Sequence, residues 1–276
     1  MVKFIKFILF IFVVLSGIIV SPYLIAQPTA DSTIVVFGDT RTNHDVHRLI
    51  VKNIMQYKPV AVFHTGDLVF NGKSNSAWSI FEQISAPILD SSRFYPSFGN
   101  HEMHSAKMTN DFKMPNNGKW YSVNIGKIHF VVIDNYSDFK KGSKQYKWLV
   151  SDLAAADKFM FRVVVMHLPV YTSGSHKNKL KKIRKYLVPI FEQYGVSVVF
   201  SGHVHCYEKA FSNNIYYITT GGGGAPLYLK AKEIPESQLY IKTYHFCTLN
   251  VSGNNLKIQT IDTSRKVIDE VNLKGK

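Results

Sequence analysis

Two imidazoles stand two residues apart in Ser201-Gly202-His203-Val204-His205. They follow Val196-Ser197-Val198-Val199-Phe200, a β-branched and aromatic run that reads as a buried strand. In extended backbone, positions i and i+2 point to the same side. Gly202 allows a tight turn and close approach of the chain to a ligand. Both rings can therefore face one small site, and neutral imidazole is a frequent metal ligand. Four more apolar runs end in comparable chemistry: Ile34–Phe37 at Gly38-Asp39-Thr40-Arg41, Val60–Phe63 at Thr65-Gly66-Asp67-Leu68, Phe94–Phe98 at Gly99-Asn100-His101-Glu102, and Val163–Met166 at His167-Leu168-Pro169. Each alone has a plain reading. Asp after Gly is a turn former or helix cap, Asn100 a turn residue, and His167 a buried, hydrogen-bonded histidine. Five strand ends carrying such donors together point instead to a metal site.

The elements that must position these residues follow from periodicity. A helix is predicted from about Asp45 to Tyr57, with Val46, Leu49, Ile50 and Ile54 on one face and Pro59 ending it. A second carries Trp78, Phe81 and Ile84, and a third runs from about Gln145 to Ala156. Trp120–Asn124 and Ile128–Ile133 flank Gly126-Lys127 as a hairpin. A basic amphipathic helix is predicted from about Lys179 to Tyr194, its lysines forming a solvated face or a polyanion contact. Ile215–Ile218, the Gly221–Gly224 run and strands near 245–251, 256–262 and 267–273 complete the chain. No internal repeat or low-complexity block follows residue 30. Strand–helix alternation argues for largely parallel sheets, whose sites form at the carboxyl ends of strands. The strands are too many for one small sheet, so two packed sheets with helices outside are expected.

Gly38-Asp39, Gly66-Asp67, Gly99-Asn100-His101-Glu102, His167 and Gly202-His203-Val204-His205 resemble the motif series of the calcineurin-like metallophosphoesterases. His167-Leu168-Pro169-Val170-Tyr171, His203–Glu208 and Thr220–Pro226 are similar to the purple acid phosphatase branch. The resemblance covers about residues 33–273 and implies an α/β fold: a four-layer α/β/β/α sandwich of two mixed sheets flanked by helices. It also implies two transition-metal ions, divalent or trivalent, with Fe, Mn or Zn suiting an N/O ligand set. Asp67 would bridge them, Asp39 and His205 would complete the first, and Asn100, His167 and His203 the second. Two such ions about 3.5–4 Å apart hold a hydroxide that attacks phosphorus directly, with no nucleophilic side chain. His101 is the implied general acid, with support of the metal shell as its alternative role. His176 lies on the loop where the purple branch places a substrate-binding histidine.

The chain departs from that pattern at one ligand. Many family members carry Asp-x-His at the first motif, and Arg41 stands in the place of that histidine. The purple branch uses a tyrosine three residues after the second aspartate, and Phe70 stands there. The first metal thus lacks a protein ligand. Water or His44 fills the gap, or the ion is weakly held, or the site is degenerate. Arg41 is suited to a bidentate contact with a phosphate oxygen, or to a salt bridge with a ligand carboxylate.

The 276 residues are 46% hydrophobic and 13% aromatic, enough for a sizeable core. Lys3 and Lys6 precede an apolar run from Phe7 to Val20 that Ser21-Pro22 breaks. Residues 1–26 therefore read as a signal peptide or an uncleaved membrane anchor, 27–32 as a linker, and 33–276 as the phosphoesterase domain. Either leader implies export, to the periplasm or beyond the cell. Cys206 and Cys247 would then form one disulfide or stay as two buried thiols. The net charge of +14 favours polyanions such as anionic lipid, cell-wall polymer or phosphorylated substrate. Nucleic acid is the weaker expectation, because aromatic and basic residues interleave little. The leading expectation is an exported phosphomonoesterase or phosphodiesterase acting on a phosphate ester. Its alternative is a catalytically weak surface protein that keeps the scaffold and binds a polyanion or a membrane surface.

Overall fold

The apolar runs that end in Gly-Asp or Gly-Asn become central strands of two sheets. The computed structural model describes residues 32–103, 105–175 and 179–275. The expected leader and His176 lie outside the described residues, and none of the described helices is long and apolar enough to cross a membrane. In chain order the elements are β1 (Ile34–Phe37), α1 (His44–Met55), β2 (Ala61–His64), α2 (Asn75–Ser91), β3 (Arg93–Pro96), α3 (Ala106–Asp111), β4 (Tyr121–Ile125), β5 (Ile128–Val132), α4 (Lys144–Ala155) and β6 (Phe161–Val165). Then come α5 (Leu180–Tyr186), α6 (Val188–Gln193), β7 (Val198–Ser201), β8 (Tyr207–Ser212), β9 (Ile215–Thr220), β10 (Ser237–Ile241), β11 (His245–Ser252), β12 (Asn255–Asp262) and β13 (Val267–Lys274).

The first sheet has the order β13-β12-β11-β1-β2-β3, and the second β10-β8-β9-β7-β6-β5-β4. Parallel pairing joins β1, β2 and β3 in one sheet and β5, β6, β7 and β9 in the other. Val36 and Phe63 from the first sheet pack against Phe130, Val165 and Phe200 from the second, forming the layer between the sheets. The Phe63 and Phe130 rings stack there at 4.2 Å. Helices α1 and α2 cover the outer face of the first sheet through Ile50, Ile54, Ile84 and Ile88. Helices α4, α5 and α6 cover the second through Leu149, Leu153, Ile183, Ile190 and Phe191. This is the expected four-layer α/β/β/α sandwich.

One expectation needs correction, and one open alternative is decided. The single basic helix over 179–194 is two helices, α5 and α6, broken at Leu187. Pro189 stands in the first turn of the second, where its missing N–H and its ring prevent the first helix from running on through it. Of the two states expected for the cysteines, the structure has the second: Cys206 and Cys247 are both buried free thiols.

His47 of α1 is fully buried, stacks on Phe81 at 5.6 Å, and shares a 3.3 Å hydrogen bond with the Ser85 hydroxyl. Burial, aided by nearby His64, lowers its pKa to about 3. In the unfolded chain that value is about 6.5. Between those two values the unfolded state binds the extra proton, so this histidine's contribution to stability is complete above about pH 6.5 and is lost as pH falls toward 3. Replacing His47 with Gln should flatten the fall in unfolding free energy, read from urea curves between pH 7 and pH 4, by up to about 1.4 kcal/mol per pH unit. Parallel curves for the two proteins would refute the assignment.

Candidate metal centre

The close assembly begins with the backbone. Asp39, Asp67 and His203 follow β1, β2 and β7 with φ of 59°, 57° and 67°. Left-handed backbone at non-glycine residues costs free energy and gathers at functional sites. Gly66, at φ 98°, has no room for a side chain: a Cβ would lie 2.7 Å from both the Gly99 nitrogen and His167 Nδ1. At Gly202, a Cβ would overlap the Asp39 carboxylate.

Two groups of donors converge at the carboxyl ends of β1, β2, β3, β6 and β7. In the first, ligand atoms of Asp39, Asp67 and His205 lie within 4.8 Å of one another. The His203 backbone N–H donates to both Asp39 oxygens, at 3.1 and 3.0 Å. In the second group, Asn100 Oδ1 lies 3.2 Å from His167 Nε2 and 3.0 Å from His203 Nδ1. His203 Nδ1 is itself 3.2 Å from His167 Nε2. The Asp67 carboxylate stands between the groups, with Oδ1 3.5 Å from His167 Nε2 and Oδ2 3.5 Å from Arg41 Nε.

The tautomers follow from the partners. Carbonyl oxygens only accept, so His205 Nδ1–H donates to Pro226 O at 2.7 Å and His167 Nδ1–H to Thr65 O at 2.8 Å. Both Nε2 lone pairs are thereby turned toward the carboxylates, as outer hydrogen bonds orient imidazoles at metal sites. The cluster is a crowd of acceptors with few protons to share. A cation relieves that crowding, and the N/O donor set fits Fe, Mn or Zn. Burial raises the Asp39 carboxyl, and it is held low only where His205 and the neighbouring imidazoles carry a proton toward it. Burial and the nearby Asp39 push Asp67 up, so the pair resists double ionisation without a compensating charge.

Two buried side chains brace these loops, and neither was assigned a role from the sequence. His64 Nδ1 accepts from the Gly66 N–H at 3.2 Å, so its Nε2–H donates to the Thr40 hydroxyl at 3.2 Å. Thr40 in turn donates to Leu68 O at 3.0 Å, which ties the β1 and β2 exits together. Glu102 accepts backbone N–H groups from Asp67, Val69 and Gly99 at 2.9, 3.2 and 2.8 Å. Its place beside His101 was a usable signal, but a carboxylate in that position reads equally well as an exposed turn residue. Glu102→Ala strands three buried donors, so we expect a loss of roughly 3 kcal/mol of stability in urea unfolding. A loss below about 1 kcal/mol would show that water replaces the carboxylate.

A cavity of about 560 Å³ opens over the cluster, lined by Arg41, His101, Tyr136, Lys179 and Tyr228 among others. His101 Nδ1–H donates to Phe70 O at 2.6 Å, leaving Nε2 3.7 Å from Asp67 Oδ2. The Phe70 ring is largely exposed and tilts over His101 at 5.4 Å, so it offers the cluster no ligand atom. Arg41 meets the alternative of a carboxylate contact through Asp67, and the residue also lines the cavity. His44, considered as a gap filler, opens α1 and does not line the cavity.

Comparison with known proteins places this geometry in context. A family model described as calcineurin-like phosphoesterase matches residues 32–207. Purple acid phosphatase 1 of Ipomoea batatas is 28% identical over 232 residues, covering 68% of this chain and 49% of that protein. Purple acid phosphatase 21 of Arabidopsis thaliana is 33% identical over 187 residues, covering 58% of this chain and 42% of its own. Each match therefore spans less than half of the relative. The purple acid phosphatase PPD1 from yellow lupin (Lupinus luteus) seeds superposes with a TM-score of 0.79 at 21% identity. That superposition covers 92% of this chain and 55% of the lupin chain, and it establishes the shared fold.

Proposed function

The chain belongs to the calcineurin-like phosphoesterase family, and we propose that it hydrolyses phosphate esters in a metal-dependent reaction at the cluster described above. The observation that carries this reading is the Asp67 carboxylate, set between an Asp39–His205 group and an Asn100–His167–His203 group. Asp39, Asp67 and His205 would hold one ion, and Asp67, Asn100, His167 and His203 the other. When bound, such ions act as Lewis acids and lower the pKa of water. The protein's own residues do the rest. Arg41, which lines the cavity beside Asp67, orients a phosphate oxygen. His101, fixed by its bond to Phe70 O, presents Nε2 to the leaving-group oxygen and gives it a proton. Tyr136, whose hydroxyl donates to Asn100 Oδ1 at 3.4 Å, holds that amide oxygen toward the imidazoles.

The leader supports export of this activity to the cell exterior or periplasm, retained there as an anchor or released by cleavage. Arg41 and Phe70, at positions where the family carries ligands, favour a loosely held first ion. They also support the second reading, a weakly catalytic scaffold that binds polyanions. A metal titration separates the two. Chelator-treated protein should hydrolyse 4-nitrophenyl phosphate only after Mn, Zn or Fe is restored. Absence of turnover with every ion, alongside salt-sensitive binding of a polyanion, would overturn the enzyme reading.

A further inference from the structure

Beside the metal cluster lies a second cavity of about 650 Å³, and its wall is basic: Lys179, Lys181, Lys182, Arg184 and Lys232. Glu236 is the acidic residue on that wall. Lys179 lines both cavities, so the two adjoin. We propose that this basic cavity is a subsite for a second anionic group of the substrate, and that the natural substrate carries at least two phosphate-like charges, the terminal one placed at the metal cluster. The proposal deepens the phosphoesterase reading and rests on it for the terminal group.

Three observations support it. First, the cavity is a built concavity and not a line of surface charge. The N–H groups of Ala231 and Lys232 donate to Ser173 O at 2.9 and 3.1 Å, which fixes one wall. Arg184 Nη1 donates to Val170 O at 3.0 Å, and its guanidinium lies 5.6 Å from the centre of the Tyr171 ring, which fixes the other. Buried Glu208 accepts from the Thr172 hydroxyl, the Ser173 N–H and the Ser237 hydroxyl at 3.0, 2.9 and 2.7 Å, locking the floor. Second, the cations are available. Elsewhere Lys107 pairs with Glu82, Lys209 with Asp269 and Lys230 with Glu233. Among the described residues, no carboxylate lies within ion-pair distance of Lys181, Lys182 or Lys232. Third, Lys179 is held at the junction. Its Nζ donates to Asn135 O at 3.0 Å and lies 4.8 Å from the centre of the Tyr136 ring, and Tyr136 in turn reaches Asn100. A cleft walled mainly by charges of one sign, here five cations against Glu236, focuses its field on the space within. That field selects an anion bearing more than the single phosphate the metal cluster takes.

The test compares tripolyphosphate with 4-nitrophenyl phosphate in the full protein and in a Lys182→Ala/Lys232→Ala variant. Both side chains are exposed, so the fold should be unaffected. We expect KM for phosphate release from tripolyphosphate to rise about tenfold, with kcat retained and the aryl phosphate constants within twofold. Equal effects on the two substrates, or none on either, would overturn the subsite. A calorimetric arm uses tripolyphosphate and Asp67→Asn protein, and does not depend on turnover. Binding should persist there and weaken about tenfold once Lys182 and Lys232 are also removed. Unchanged binding would refute the subsite even if the aryl phosphate is turned over. Loss of aryl phosphate turnover alone would refute only the catalytic reading.

Discussion

Asp67→Asn should lower metal-dependent hydrolysis of 4-nitrophenyl phosphate by at least about 10³-fold, a loss of roughly 4 kcal/mol of transition-state stabilisation. The substitution keeps side-chain volume and one acceptor oxygen, so the His101 backbone N–H, 3.1 Å from Asp67 Oδ1, retains a partner. It removes the charge that faces Arg41, His101 and His167 together. Neither neighbouring carboxylate replaces it: Asp39 is engaged by the His203 N–H and His205, and Glu102 by the Asp67, Val69 and Gly99 N–H groups. Far-ultraviolet circular dichroism should be unchanged, and metal content by elemental analysis should fall. A variant that retains a tenth or more of the activity would remove Asp67 from the bridging role.

Arg41→Ala should reduce kcat/KM for the same substrate by about 10²-fold, in the range expected for losing a charged donor to a phosphoryl group. The side chain is held mostly out of solvent against Asp67 and lies 5.9 Å from the centre of the Phe70 ring. Two readings of this arginine give different metal contents. If it binds phosphate, metal content stays level or rises, since a cation beside the carboxylate has gone. If it serves mainly to hold Asp67 in place, metal content and kcat/KM fall together. The first outcome is expected, because Arg41 is one of the residues that line the cavity.

Strand ends were the most legible part of this chain. Gly38-Asp39, Gly66-Asp67 and Gly202-His203 announce themselves as one pairing repeated at the exits of buried strands, and in each the second residue takes left-handed backbone. The six proposed ligands then fall where the parallel strands must deliver them. What the residues did not disclose depends on contacts distant in sequence. His64 closes an apolar strand, and nothing local separates a brace from an ordinary core histidine. Lys179 looked like the first lysine of a solvated helix, yet its Nζ reaches Asn135. Strand β8 was concealed because Tyr207 and Glu208 read as the tail of the histidine motif. The break between α5 and α6 was signalled by Pro189, but the apolar spacing ran through it.

The chemistry of the cluster is divided by layer. Asp39, Asp67 and Asn100 leave strands of the six-stranded sheet, while His167, His203 and His205 leave strands of the seven-stranded sheet. Any ion gripped by oxygen from one side and nitrogen from the other is a rivet through the seam of the sandwich. Its grip opposes the parting of the two halves in addition to serving the reaction. Resistance to heat should therefore follow occupancy of the site, growing with the logarithm of free metal concentration above the dissociation constant. A melting curve would then serve as a gauge of loading before any substrate is added.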